Sequence, residues 1–251
     1  MANAEHKTKL DFSRFEFKFV MPTDMIRAVE KELGHFVELD PFVVDQPDHR
    51  YPVRSLYFDD RSYTAFHDKI DGLHTRAKFR VRTYTVDLEN PAPVFLEIKG
   101  RYNNLVFKHR TSVDTGGMDL LAGGTRFRDE VLLRTRGKVH DRFEFETYRK
   151  VIAPVALIDY VRRPFISKFD PEFRLTIDEH VQATRTDSLF TNGSTPGARR
   201  IVPGQAIMEV KFRYHMPSWF HRIIQAYQLR RRSISKICEG MQVLEMAVDP
   251  G

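Results

Sequence analysis

The sequence predicts an α+β domain: an eight-stranded antiparallel β tunnel with helices packed outside. Three observations lead there. Eight segments alternate apolar and polar residues with period two, the mark of half-buried strands. Stretches with helical spacing and end signals separate some of them. No internal repeat is visible, which argues against a solenoid. Eight strands are enough to close a barrel.

The first strand covers 14–21, where Phe15, Phe17 and Phe19 alternate with Arg14, Glu16 and Lys18. Pro22-Thr23-Asp24 opens a helix over 25–33, with Thr23 as N-cap and Gly34 as the stop. Strands follow over 54–59, 78–86, 94–101 and 106–113. Asp59 and Asp60 could hold metal, but after a strand they read as a turn, or as the cap of a helix beginning near Ser62. Residues 119–121 and 126–136 read as short helices around the Gly123-Gly124 break. Two strands, 155–167 and 173–181, come next. The stretch 186–204, rich in Ser, Thr, Asn, Gly and Pro, reads as an internal loop because a strand over 206–215 follows at once. Pro217 begins a helix running towards Arg231. A last helix covers 235–246, with Ile237, Met241 and Leu244 at helical spacing. The expectation is one domain over 13–248, preceded by a flexible tail over 1–12.

Composition excludes several classes. The chain has 251 residues, 41% of them hydrophobic and 20 of them Phe, too apolar for a disordered protein. The single cysteine, Cys238, excludes a disulfide framework and a cysteine-based zinc site. The ten His form no H-E-x-x-H, so a zinc enzyme is not indicated. The longest apolar run, 151–158, holds Pro154 and is far shorter than the about 20 residues of a spanning helix. The polar N-terminus has no signal-peptide core, and the chain reads as cytoplasmic, without a membrane segment. A net charge of +6 is mild, so any anion-binding role depends on where the cations sit.

Their placement is the informative feature. In a strand, residues i and i+2 share a face. Lys78, Arg80, Arg82 and Tyr84 lie on one face, against Phe79 and Val81 on the other. Glu97, Lys99 and Arg101 share a face, as do Lys108 and Arg110. So do Arg174, Thr176 and Asp178, and Glu209, Lys211 and Arg213. Two architectures fit. An open antiparallel sheet would turn this charged face to water. A closed one would turn it inward, making a basic tunnel with an apolar outside covered by helices. Cations recurring strand after strand repel one another unless a polyanion neutralises them, which favours the tunnel. Arg forks and Lys point charges both suit phosphate oxygens. Removing one cation, as in Arg80→Ala, is then expected to leave the fold intact. Glu16, Glu97 and Glu209 are the candidate ligands for Mg2+ or Mn2+, which bind through a few carboxylates and substrate phosphates.

The segments Arg14-Phe-Glu-Phe-Lys18, Ser55-Leu-Tyr-Phe-Asp59, Lys78-Phe-Arg-Val-Arg82, Phe95-Leu-Glu-Ile-Lys99, Tyr160-Val-Arg-Arg-Pro-Phe165, Arg174-Leu-Thr-Ile-Asp178, Met208-Glu-Val-Lys211 and Ser235-Lys236 occur in that order. Together they resemble the VTC (vacuolar transporter chaperone) polyphosphate polymerase domain of the triphosphate tunnel metalloenzyme, or CYTH-like, superfamily. The resemblance covers about 13–246. It implies a tunnel that binds ATP and a divalent metal and transfers the γ-phosphate onto a growing inorganic polyphosphate chain. It places Lys18, Arg80, Arg82, Lys99, Lys108, Arg163, Arg174 and Lys236 on phosphate and Glu209 on metal, with Glu16 and Glu97 as further metal candidates. Lys78, Arg110 and Lys211 are secondary members of the basic face. The chain departs from the superfamily's first-strand E-x-E-x-K, having Arg14 in place of one possible ligand. Ser233 stands where a second C-terminal basic residue is expected beside Lys236. The phosphate-sensing SPX domain and the membrane segments of eukaryotic relatives have no counterpart in this sequence, which resembles a free-standing bacterial form.

The expected partners are ATP and inorganic polyphosphate, with no nucleic acid. No G-x-x-x-x-G-K-[ST] is present, so a P-loop enzyme is not the alternative. The alternatives are a triphosphatase or polyphosphatase in the same tunnel, or a non-catalytic module binding polyphosphate or nucleic acid. In that module Tyr84, Tyr102 and Tyr160 would stack on bases. His109, His180, His215, Trp219, Phe220 and Cys238 read as packing or surface residues, and Arg230 to Arg232 as a solvated run or a guide for polyphosphate at the tunnel mouth.

Overall fold

A computed structural model describes residues 15–89, 92–102, 105–191 and 197–248. The expected tail over 1–12 and Arg14 lie outside the described residues. Eleven strands form one antiparallel sheet: β1 (Phe15–Pro22), β2 (Val37–Leu39), β3 (Tyr51–Asp59), β4 (Thr75–Thr83), β5 (Val94–Tyr102), β6 (Leu105–Val113), β7 (Ala153–Ser167), β8 (Arg174–Thr184), β9 (Arg199–Arg200), β10 (Gln205–Phe212) and β11 (Arg230–Arg231). Among the described residues six α-helices accompany them: α1 (Ile26–Leu33), α2 (Thr64–Ile70), α3 (Gly124–Leu133), α4 (Lys138–Lys150), α5 (Ser218–Ala226) and α6 (Lys236–Val243).

All eight expected strands form, and three short ones join them. The order along the sheet is β11-β1-β10-β8-β7-β3-β4-β5-β6, with β2 on β7 and β9 on β8. Among the described residues β6 and β11 end this order without pairing to each other, so the sheet is open in its backbone hydrogen bonds, not a closed ring of eight. It nevertheless curls. Lys99 on β5 reaches Glu16 on β1 at 2.8 Å, although five strands separate the two in the order.

The alternation expected from sequence sets the two faces. Leu56, Phe79, Val81, Leu96 and Ile98 pack on the convex side against Phe127, Val131 and Phe143 of α3 and α4. Phe19, Leu175, Ile177, Met208 and Val210 pack there against Val29 and Leu33 of α1 and Phe220 and Ile223 of α5. A third cluster lies on the concave side, where Ile237, Cys238 and Met241 of α6 meet Tyr57, Ile158, Tyr160 and Ala183. α6 is therefore inside the curl, not packed outside it. Gly240 permits this approach. A Cβ there would come within 2.7 Å of Ile158 Cδ1 and 3.0 Å of Ala183 Cβ.

Other expectations change. Thr23 caps nothing. Its N–H donates to Gly204 O at 3.0 Å and its hydroxyl to the same carbonyl at 3.3 Å, tying the end of β1 to the turn before β10. Residues 119–121 form a turn, not a helix. The helix after Pro217 stops at Ala226, because Gln228 at φ 49° folds Leu229 back into the core, and Arg230–Arg231 then pairs with β1. The long loop before β10 contains β9. Asp59 and Asp60 do cap α2. Asp59 accepts from the N–H groups of Ala65 and Phe66, and Asp60 from those of Ser62 and Thr64. No helix of the described residues is long and apolar enough to cross a membrane.

Candidate functional site

The concave face collects the charged rows of the strands. Register places Tyr57, Arg80, Glu97 and Arg110 on one line across β3 to β6, and Lys78, Lys99 and Lys108 on the next. On the other flank Lys18, Glu209 and Thr176 align across β1, β10 and β8, and Glu16, Lys211 and Arg174 run beside them.

Glu97 is fully buried and gathers three cations. Arg80 reaches it at 2.6 Å, Lys108 at 2.8 Å and Arg82 at 3.8 Å. Arg80 also donates to Tyr57 Oη at 2.7 Å. Arg82 donates to Ser55 Oγ at 2.9 Å and to Tyr160 Oη at 3.3 Å. Glu16 accepts from Lys99 at 2.8 Å and lies 3.4 Å from Lys18. Glu209 pairs with Lys211 at 2.9 Å. Buried Asp178 takes both arms of the Arg162 guanidinium, at 2.6 and 2.8 Å, and Lys236 at 2.6 Å. The start of α6 faces the same space. Lys18 donates to Ile234 O at 2.9 Å, and Lys78 to Ser235 Oγ at 2.8 Å.

These contacts set the ionisation of the groups. Burial and nearby Glu209 both push the Glu16 carboxyl up, but Lys99, Lys18 and Lys211 outweigh them and hold it down at about 2. Burial likewise opposes ionisation of Glu97, Asp178 and Glu209, and their cations hold all three below the usual carboxylate range. Burial beside Arg80 and Arg82 brings Lys108 down to about 8, against the pull of Glu97. Tyr57 is brought down to about 8 because Arg80 and Arg82 outweigh its burial. The carboxylates thus hold the cations in place without cancelling them. Among the described residues Arg174 pairs in register with Lys211, and Arg110 lies over the Phe95 ring, and neither makes an ion pair with a carboxylate there. What remains is a concave surface with more fixed positive than negative charge, suited to a chain of phosphates.

Of the residues named from sequence, Lys18, Lys78, Arg80, Arg82, Lys99, Lys108, Arg110, Arg174, Lys211 and Lys236 come together on this face. Arg163 does not. It points to the convex side and pairs with Glu30 of α1. Its neighbour Arg162 takes the inner place. Asp178 and Tyr57 were not named as site residues, and Tyr160 only as a base-stacking residue of the binding-module alternative. Their signal was parity: Asp178 shares a face with Arg174, and Tyr160 with Arg162.

A divalent metal on this face would depend on oxygen donors that converge. Among the described residues no three His, Cys, Asp or Glu converge. Glu16 and Glu209 are diagonal neighbours across β1 and β10, and the Glu209 charge opposes ionisation of Glu16. A pair of hard oxygen donors fits Mg2+ or Mn2+ shared with phosphate oxygens. Glu97, fully buried among three cations, does not fit as a ligand, whereas Glu16 and Glu209 would exchange Lys99 and Lys211 for the metal.

The VTC domain model matches residues 13–245. No curated protein matches the chain. Among solved structures, the PH1819 protein from Pyrococcus horikoshii OT3 is similar with a TM-score of 0.46 and 11% identity, over 93% of this chain and 100% of that one. The Schizosaccharomyces pombe Mediator head module is similar with a TM-score of 0.42 and 9% identity, over 93% of this chain and 94% of that one. At such scores neither likeness bears on what this chain does.

Proposed function

Because the chain belongs to the VTC domain family, we propose that its polyphosphate-related function is that of an ATP-dependent polyphosphate polymerase working in the basic channel. The observation that carries this reading is the continuous inner face of Lys and Arg, held in place by a smaller number of carboxylates. Phosphoryl transfer needs in-line placement and neutralised charge more than a protein nucleophile. In this reading an oxygen of the acceptor chain's terminal phosphate attacks the γ-phosphorus of ATP. The bond from that phosphorus to the β,γ-bridging oxygen breaks, and ADP leaves with the electron pair.

Arg80, Arg82, Lys99 and Lys108 surround the transferring group from one wall, and Lys18 and Lys211 from the other. Arg174 and Lys236 bind the flanking phosphates. The carboxylate of Glu97 keeps Arg80 and Lys108 apart and oriented before phosphate arrives. A divalent ion held by Glu209 and Glu16 would neutralise charge on the phosphate oxygens.

The test is to incubate the purified protein with ATP and Mn2+, with and without short polyphosphate. Formation of long acid-labile chains together with ADP supports the polymerase. Orthophosphate release alone makes the protein a hydrolase in the same channel. Tight polyphosphate binding with no turnover leaves a binding module.

A further inference from the structure

The inner row of β4 has two unlike ends. Lys78 meets Ser235, so α6 lies at that end. At the other end Tyr84 meets Tyr51, with ring centroids 5.7 Å apart. Tyr51 in turn meets Phe42 at 5.2 Å, and Tyr84 meets Phe95 at 6.2 Å. Four aromatic side chains from separate segments therefore gather opposite the end where Lys78 meets α6.

Phe42 is 59% exposed, yet it is held. The segment Pro41–Val43 is a 3-10 turn, and Asp40 accepts the Phe42 N–H at 3.0 Å. Core packing does not account for a positioned phenylalanine facing solvent. The aromatic group is also continuous with the cations. Arg110 lies over the Phe95 ring at 4.4 Å, and Arg82 pairs with Phe95 in register, between Tyr84 and Arg80 on the inner row.

We propose that this aromatic end seats the nucleobase of the nucleoside triphosphate. The nucleotide then enters here, with its phosphates leading past Arg82 towards Arg80 and Lys108. A base presents a flat π face that stacks on aromatic rings and guanidinium planes. A bare polyphosphate chain has no such face and gains nothing from these rings. The aromatic end thus distinguishes the nucleotides, ATP and the ADP that leaves, from the polyphosphate chain at one mouth of the channel. The inference rests on the triphosphate-binding reading above.

Calorimetric titration with ATP and with inorganic tripolyphosphate tests it, on the wild type, Phe42→Ala and Tyr84→Leu. The expected result is that each variant weakens ATP by about tenfold relative to tripolyphosphate, within the usual range for a lost base stack. Tripolyphosphate affinity stays as in the wild type. Phe42 is exposed, so its variant folds, which a thermal melt confirms. Equal weakening of both ligands, or no change in their ratio, overturns the aromatic site. A wild type that binds neither ligand overturns the triphosphate reading as well. Retained tripolyphosphate binding with an unchanged ratio removes only this inference.

Discussion

Two opposing effects act on Arg80, repulsion from its cationic neighbours and attraction to a buried carboxylate. From the pattern of cations, Arg80→Ala relieves repulsion and leaves the fold intact. In the structure Arg80 is the shortest ion pair of a carboxylate with no exposure, Glu97. Removing it leaves that carboxylate with Lys108 and the more distant Arg82. Arg80→Ala is expected to lose about 3–5 kcal/mol, as when one partner of a buried pair is deleted. Arg80→Ala combined with Glu97→Gln should recover part of it. Urea melts of the single and double variants measure this, and a single variant as stable as the wild type would refute it. The pH dependence of binding is also set by single residues. Lys108 and Tyr57 both titrate at about 8. As pH rises through that value the channel loses a positive charge and gains a negative one, so tripolyphosphate affinity should fall. The fall should be shallower in Lys108→Arg and in Tyr57→Phe. Identical pH profiles for all three proteins would exclude both groups. Arg162 and Arg163 mark the limit of sequence reading at this scale. Adjacent arginines on one strand differ only in parity, and the register shift near Asp159 to Val161 lies just before them.

Among the elements, α6 joins packing to chemistry. Ile237 is buried with Tyr57 and Ile158, while the neighbouring Lys236 pairs with Asp178. Ile237→Ala should cost about 2–5 kcal/mol, as a large-to-small core change does. Lys236→Ala should reduce turnover with a smaller loss of stability, because Arg162 still holds Asp178 with two hydrogen bonds. Gly240→Ala pushes α6 off β7 and β8 and should reduce both. Thermal melts and turnover of the three variants decide it. Unchanged turnover in folded Lys236→Ala would remove that residue from the site. α4 was not legible in advance. Val139, Phe143 and Thr147 follow helical spacing and are buried, but Phe143 and Phe145 alternate with charged residues as they would in a strand. Phe145 ends up 53% exposed, a position that period two cannot explain.

At the level of the whole molecule, stability and binding follow from one unbalanced charge distribution. Glu16, Glu97, Asp178 and Glu209 are all depressed relative to an unfolded chain. Depressed carboxylates contribute stability that is present above the unfolded value, 4.5 for Glu16, and lost as pH falls towards its folded value of about 2. Buried Asp59 acts in the opposite sense. Burial lifts it to about 6, so its ionised form costs stability above that pH and the cost is relieved on acidification. Against its burial, hydrogen bonds from Thr64 and Ser62 also hold Asp60 down, and five groups against one predict a melting temperature that drops steeply below about pH 4. Tripolyphosphate should raise the melting temperature at neutral pH, and added salt should weaken the effect. A flat acid profile, or a ligand effect indifferent to salt, would contradict this account of the channel.

Period-two alternation needs no tertiary knowledge, because backbone pleating alone sends residues i and i+2 to one side. The eight long strands and the pairing of a basic face with an apolar one were therefore readable from the chain. Curvature is a different kind of property. Whether β6 and β1 meet, which arginine of Arg162-Arg163 faces in, and whether α6 lies inside or outside depend on register, bulges and the close approach at Gly240. Those are set by contacts between residues far apart in the chain. Lys99 meets Glu16, and Lys236 meets Asp178, only once the sheet has curled around α6.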